Sequence, residues 1–301
     1  MSRIILGDNQ YGKAEVRLVK VDRDSPTHVL HDLTVTTQLR GDFGAAYTDG
    51  DNAHVHATDT QKNTVYAKAR ELGVRSPEGF LLDLAAHWQA QEWVSGTQMS
   101  AEQYAWERIG EGTGGAGHSF VRTGQETRTA VVQTDGEAAY VLGGLTDLVV
   151  LKSTGSEFHG FPRDRYTTLP ETDDRILATS VTAWWRYAAD AVTPDADWNA
   201  RYEQVRATFL DAFAGLHSLA LQQTIFAMGE AVLAAMPEVA ELRISCPNKH
   251  HFLVDLAPFE LDNPGEVFVA ADRPYGLIQG TVLREDTRPA PAAWAAVPAF
   301  A

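Results

Sequence analysis

The sequence predicts an α+β protein built from a duplicated unit, an antiparallel sheet with a pair of helices on one face. Three observations lead there. Apolar and polar residues alternate around Val16 and Leu18 and again through Leu33, Val35, Thr37 and Leu39, the period of strands with one wet face. Apolar residues recur at three- and four-residue spacing in Phe80, Leu81, Leu84, Ala85 and Trp88, and in Trp198, Tyr202, Val205, Phe209 and Phe213, as on helices with one buried stripe. The order strand, strand, helix, helix, strand, strand occurs twice. A boundary near Asp135-Gly136 then gives units at 1–135 and 136–301.

The elements follow in order. Asp24-Ser25-Pro26 separates the first two strands and marks a long hairpin. Helical spacing runs over 64–72, and a second helix starts at Ser76-Pro77-Glu78, a capping residue with proline at the first helical position. Short strands are expected between Trp93 and Gln133, ending in one over 127–132, with 103–109 helix-like or irregular. In the second half, strands are expected over 140–152 and 176–187, followed by the helix that starts near Trp198. Ser218 can cap a further helix carrying Leu221, Ile225, Met228, Val232 and Met236, which Pro237 stops. Strands over 241–245, 251–256 and 276–284 complete the chain. The sheet face without helices needs cover, and closing sheets edge to edge into a barrel would supply it.

Composition removes several function classes. A chain of 301 residues has room for two domains, and no apolar run approaches the roughly 20 residues of a membrane span. The apolar core of Met1-Ser2-Arg3-Ile4-Ile5-Leu6 is too short for a signal peptide. A net charge of -15 without a compensating Lys/Arg cluster argues against nucleic acid as partner. An anionic substrate would have to rely on local cations such as Lys13, Arg175 and Lys249. The single cysteine, Cys246, rules out an intrachain disulfide and fits a reducing cytoplasm, as a buried structural thiol.

Familiar motifs fail on context. Gly112-Thr113-Gly114-Gly115-Ala116-Gly117 has dinucleotide-type glycine spacing but lacks the strand before and the helix after, so it reads as a hairpin loop. His54-Val55-His56 would place two imidazoles on one strand face without a clear third ligand; no metal site is expected and the role of the pair stays open. His250-His251 puts adjacent side chains on opposite faces, so at most one serves a given site. Nothing supports a covalent hydrolase.

The stretch from Leu151 to Arg175 is more informative. Phe158, Phe161, Tyr166 and Leu169 are spread through a segment too polar for a core strand and too broken by Gly and Pro for a helix. Aromatic faces closed by a guanidinium suit a flat heterocycle with polar edges. A loop pinned by a satellite apolar cluster is the structural alternative.

The spacing Lys152-Ser153-Thr154, Ser156, Phe158, Phe161, Tyr166, Leu169, Arg175 resembles the signature of the urate oxidase (uricase) family. Further matches occur in the family's order: Tyr11-Gly12-Lys13, the run from Ala57 to Tyr66, Leu221-Gln222-Gln223-Thr224, and Pro247-Asn248-Lys249-His250-His251-Phe252. The resemblance is thin over 73–128 and after Arg284. It implies two tandem tunnelling-fold (T-fold) units per chain, with barrels completed by other subunits, as a homotetramer. It also implies oxidation of urate by O2 to 5-hydroxyisourate and H2O2, with no metal, flavin or nicotinamide. The implied proton relay is Lys13, Thr58 and His250; a lysine serves as base only where its pKa falls below the usual value near about 10.4. Phe158 would stack on the purine, and Arg175 would hold its acceptor-rich edge bidentately. Gln222 would take the opposite amide edge, with Leu169 and Leu221 as apolar cover and Leu221 adding a backbone group. Asn248 would polarise the oxygen or water above the ring, and Thr58 and Asp59 would arrive from a different subunit.

Two departures bear on this. The chain ends Pro298-Ala299-Phe300-Ala301 without a Ser-Lys-Leu peroxisomal address, which favours a cytoplasmic enzyme. Pro162 and Pro170 stiffen the loop. A tunnelling-fold hydrolase or aldolase acting on pterins or purines is the competing enzyme, but such relatives generally anchor the heterocycle with a glutamate. A non-catalytic urate-binding protein would not need Lys13, Thr58 and His250 together.

Overall fold

The computed structural model describes residues 2–110, 117–136, 138–271 and 273–297. The chain forms two compact units: Met1–Gly144 with Arg186–Arg201 and Arg288–Ala301, and Leu145–Trp185 with Tyr202–Thr287. Each is α+β, with antiparallel strand pairs and helices, as predicted.

In the first unit, β1 (Tyr11–Asp22) and β2 (Val29–Gly41) form the expected hairpin. The inward residues of β2 are Leu33, Val35, Thr37 and Leu39, all fully buried. A five-residue helix, α1 (Gly44–Thr48), was not anticipated. Helix α2 (Thr58–Glu71) begins six residues before the predicted start, because its inward position in the first turns is Gln61, which carries no apolar signal. Helix α3 (Pro77–Gln89) starts as predicted: the Ser76 hydroxyl accepts from Gly79 N at 3.1 Å, and Phe80, Leu81, Leu84, Ala85 and Trp88 are buried. Strands β3 (Val94–Gln103) and β6 (Thr127–Asp135) continue the sheet in the order β1-β2-β3-β6. Between them, β4 (Trp106–Arg108) and β5 (Phe120–Arg122) pair separately, so part of 103–109 is strand and not helix-like. The glycine-rich positions 112–116 lie outside the described residues, as does the chain end from 298.

Helix α3 also carries a buried ion pair. Glu78 Oε2 accepts from Arg128 at 2.7 Å, with side-chain exposures of 0% and 8%. The same guanidinium donates to Asn199 Oδ1 at 2.7 Å and to the Trp198 carbonyl at 3.1 Å. Burial pushes the Glu78 carboxyl up in pKa, and Arg128 opposes that.

The second unit takes most of β7 (Ala138–Lys152) and β8 (Leu177–Tyr187), then α4 (Trp198–Gly215) from Tyr202 onward and α5 (Leu221–Ala235). Trp185 on β8 meets Tyr202 and Phe209 of α4 with ring centroids 6.1 and 6.4 Å apart. Strands β9 (Val239–Pro247) and β12 (Leu277–Leu283) pair antiparallel under α5. A Cβ on Gly229 would lie 2.6 Å from Val282, so glycine lets α5 approach that closely. A second hairpin, β10 (His250–Leu253) with β11 (Phe268–Ala271), leaves the sheet; β11 had no alternating signal strong enough to predict. Ser218 does not cap α5. The N-cap is Ala220, and the Ser218 hydroxyl bonds Thr224 Oγ1 at 2.8 Å instead. Cys246 is fully buried beside Thr179, and burial pushes its thiol up to about 12, so it is inert. Among the described residues no helix is long and apolar enough to cross a membrane.

Removing one partner of the buried pair leaves an uncompensated charge. Arg128→Met is expected to destabilise the first unit by about 3–5 kcal/mol, measured as a shift in the denaturant midpoint. Adding Glu78→Leu should restore most of the loss, since the pair's net worth against apolar packing is small.

Candidate functional site

The predicted site residues fall into two groups, one in each unit. The larger group is organised by Ser156, which is fully buried. Its neighbours form a parallel bridge to the lead-in of α5: Glu157 N donates to the Ser218 carbonyl at 2.8 Å, and Ser218 N donates to the Gly155 carbonyl at 2.9 Å. Ser156 also holds the returning arm of the loop. Arg175 N donates to its carbonyl at 2.8 Å, and Arg175 Nε to its hydroxyl at 3.4 Å. One residue pair further out, Phe158 and Thr172 exchange hydrogen bonds of 2.9 and 3.1 Å.

These tethers bring Phe158 and Arg175 together and set them beside the start of α5. The Arg175 guanidinium lies over the Phe158 ring, 5.2 Å from its centroid, and burial lowers its pKa from the usual arginine value. Phe161 stacks on Phe158 at 4.9 Å with 13° between the planes, a buttress to which the sequence assigned no role. Leu221 and Gln222 open α5. The Leu221 side chain is 3% exposed and turns into the core, while Gln222 is exposed. Their N–H groups belong to the first turn, where a helix has no internal acceptors, so they can donate outward. Leu169 is 52% exposed on the loop.

Asn248 is placed by β8, which follows directly from Arg175. Asn248 bridges Thr179, its N–H donates to the Gly276 carbonyl at 2.7 Å, and Lys249 N donates to the Ala178 carbonyl at 2.8 Å. His250 follows on β10 with its ring 5.7 Å from Phe252.

The second group lies in the first unit. Lys13 pairs with Thr37 across β1 and β2, and Val16 with Val35, so Ala14 and Glu15 together oppose Thr36. This is a bulge. Glu15 takes a left-handed backbone, φ 56°, and its N–H donates to Thr36 Oγ1 at 3.0 Å. The extra residue puts Lys13 and Val16, three positions apart, on the same face of the sheet. Lys13 thus points with Thr37 toward α2. There the Thr37 hydroxyl donates to Gln61 Oε1 at 2.8 Å, both residues being fully buried. Thr58 and Asp59 occupy the first turn of α2 and are exposed. The Asp59 carboxyl is held below its usual pKa first by its hydrogen bond to Lys62, and less by the charge of Lys13.

A profile of the uricase family matches residues 9–133 and 141–279. A uricase of Arthrobacter globiformis is 55% identical over 300 residues, covering 99% of this chain and 96% of its own length. The chain belongs to the uricase family. A Dictyostelium discoideum uricase is 37% identical over 285 residues, covering 93% of this chain and 98% of its own. The crystal structure of uricase from Arthrobacter globiformis superposes with a TM-score of 0.90 at 56% identity, covering 96% of this chain and 98% of that one. These comparisons include uricases of known structure, and with them the tunnelling fold expected from the sequence. Every predicted site residue lies within the stretches matched by the family profile.

His54 and His56 do not share a strand face. His54 lies in a turn and His56 just after it, and both pack on tryptophan: His54 is stacked on Trp93 at 5.2 Å and 7°, while His56 lies against Trp88 and Trp93. His54 also reaches Asp42 at 3.2 Å. A cleft of about 620 Å³ in the first unit is lined by Gly7, Asn9, Gln10, Arg40, Ser95 and Asp135, among others, and by none of the predicted site residues.

Thr37 and Gln61 were not foreseen as supports of this group; buried polar residues at inward positions were the available signal. Gly12 precedes Lys13 on β1, and a Cβ there would lie 1.7 Å from the Thr37 carbonyl oxygen. Gly12→Ala should therefore pry β1 from β2 next to Lys13. Hydrogen exchange at 11–17 and 34–38 should rise while α5 and β9 stay protected; unchanged protection at 11–17 would contradict this.

Proposed function

We propose that this chain oxidises urate with O2 and water to 5-hydroxyisourate and H2O2, without metal, flavin or nicotinamide. The supporting observation is the division of labour between the two groups. One offers aromatic rings with a guanidinium over Phe158 and helix N–H donors nearby, which suits ring recognition. The other offers a lysine turned by a bulge toward the hydroxyl-bearing first turn of α2, which is proton handling.

Dioxygen is a poor electron acceptor for a closed-shell purine, so the ring must be made electron-rich by removing a second proton from the urate monoanion. Lys13 is the base that starts this removal. Thr58 accepts from it and donates onward through one hydroxyl, and His250 completes the path. Phe158 stacks on the purine and Arg175 takes the acceptor-rich edge with two parallel donors. Gln222 and the Leu221 N–H serve the opposite edge, Leu169 covers the ring, and Asn248 polarises the oxygen or water above it. Glu157, the carboxylate next to Phe158, is engaged by His159 at 2.6 Å and His217 at 2.7 Å, which disfavours a glutamate-anchored pterin or purine hydrolase.

The active form in this reading is a cytoplasmic homotetramer of chains with tandem T-fold units at 1–135 and 136–301. Lys13, Thr58 and Asp59 of one protomer meet Phe158, Arg175, Gln222, Asn248 and His250 of another. Apolar side chains on the sheet face away from the helices support it: Val149, Leu151, Leu277 and Leu283 are 44–57% exposed, a surface that barrel closure with a partner would cover.

Purified protein stripped with chelator should consume urate and O2 and release H2O2 in equal amounts, read by an oxygen electrode and a peroxidase-coupled assay. Activity that vanishes on chelation and returns only with metal would sink the cofactor-free reaction. Lys13→Met should lower kcat by about 10² to 10⁴, the usual worth of a positioned general base, while a non-reactive purine analogue still binds. A change confined to KM would remove Lys13 from that role.

A further inference from the structure

We propose that Glu157, His159 and Asp173 form a zinc-class divalent cation site that clips together the two arms of the loop bearing Phe158. One ligand atom from each of the three lies within 4.8 Å of the others. The arrangement follows from the backbone. Because Phe158 pairs with Thr172, Glu157 falls directly opposite Asp173, and His159 lies two residues on along the same face. Two carboxylates placed opposite each other repel, so the pairing is favourable only when something positive sits between them. His159 supplies part of that charge when protonated. A divalent cation supplies it fully and uses the neutral imidazole as a ligand.

The donors suit a borderline ion: one imidazole and two carboxylates, with water for the fourth position. Around a tetrahedral zinc, neighbouring ligand atoms stand about 3.3 Å apart. The Glu157 to His159 contact, now 2.6 Å, would open slightly, and the widest spacing within the 4.8 Å group would close by side-chain rotation. The second carboxylate oxygen of Glu157 is already fixed by His217 Nε2 at 2.7 Å, an outer partner that orients a ligand as second-shell groups do. Glu157 is the sheltered member, its side chain 15% exposed, and the other two are open to incoming ions. The arms are held ready by the Phe158 and Thr172 bonds and by Gly160 N donating to Glu171 Oε1 at 2.8 Å.

The cation joins the outgoing arm at 157 and 159 to the returning arm at 173, two residues before Arg175. It stiffens the segment that presents Phe158 and Arg175 and touches no reacting atom. The site is independent of the urate reading, since its binding is measured without substrate and the oxidation is measured without metal.

The test is zinc chloride titrated calorimetrically into the chelator-stripped full-length protein. One zinc per chain is expected, with affinity about tenfold or more weaker in Asp173→Asn and in His159→Ala. Both positions are exposed, so these variants should keep the parent far-UV circular dichroism. Zinc should also slow hydrogen exchange over 157–175 in the parent and not in the variants. Absence of saturable binding, equal binding by the variants, or binding that leaves exchange over 157–175 unchanged would each overturn the proposal.

Discussion

Both units obey one constraint: a sheet covered by helices on one face must send every second side chain inward. Leu33, Val35, Thr37 and Leu39 follow that parity on β2, and Val282 follows it on β12 under Gly229. A functional side chain on such a strand has to accept the parity or break it. β1 breaks it. By fitting Ala14 and Glu15 against Thr36, it turns Lys13 to the helix side without moving Val16 and Leu18 out of the core. The cost is a left-handed residue at Glu15 and an absolute need for glycine at position 12, where β1 passes against the Thr37 carbonyl.

The group around Phe158 and Arg175 uses a different device, because both residues sit on the long loop between β7 and β8. A loop can hold a precise geometry only if its backbone polar groups are tied down. Ser156 does this from a buried position. Its carbonyl and hydroxyl both bond Arg175, while the peptide groups on either side bond Ser218. Phe158, Arg175 and the first turn of α5 are thereby neighbours through hydrogen bonds, not through chance packing of a satellite cluster. Phe161 then fixes the tilt of Phe158.

Charge is spent sparingly in this acidic chain. The Glu78 and Arg128 pair is buried and anchors the starts of α3 and α4. Near the site, Arg175 is half-buried against an aromatic ring, and desolvation strengthens whatever it contacts. Lys62 first, and Lys13 to a lesser extent, hold the Asp59 carboxyl below its usual pKa. Lysine and acid are thus placed together at the N-terminal turn of α2, where the helix dipole also favours the carboxylate.

Much was determined by the sequence alone. Periodicity sufficed for the hairpin of β1 and β2, for α3 with its Ser76 cap, and for the buried stripes of α4 and α5, because apolar side chains repeat at the spacing of the element that buries them. The loop motif and its distant companions sufficed for the family, since side-chain chemistry at fixed spacing is a property of the chain. What failed were features whose partners are remote in sequence. The early start of α2 depends on Gln61 finding Thr37, the fate of Ser218 depends on Thr224 and the loop, and the histidines at 54 and 56 depend on Trp88 and Trp93. The facing of Lys13 is the sharpest case: alternation counted along β1 puts it on the wrong side, and only pairing with β2 reveals the extra residue. Which way a side chain points is decided by the strand opposite, and a one-dimensional pattern does not contain its neighbour.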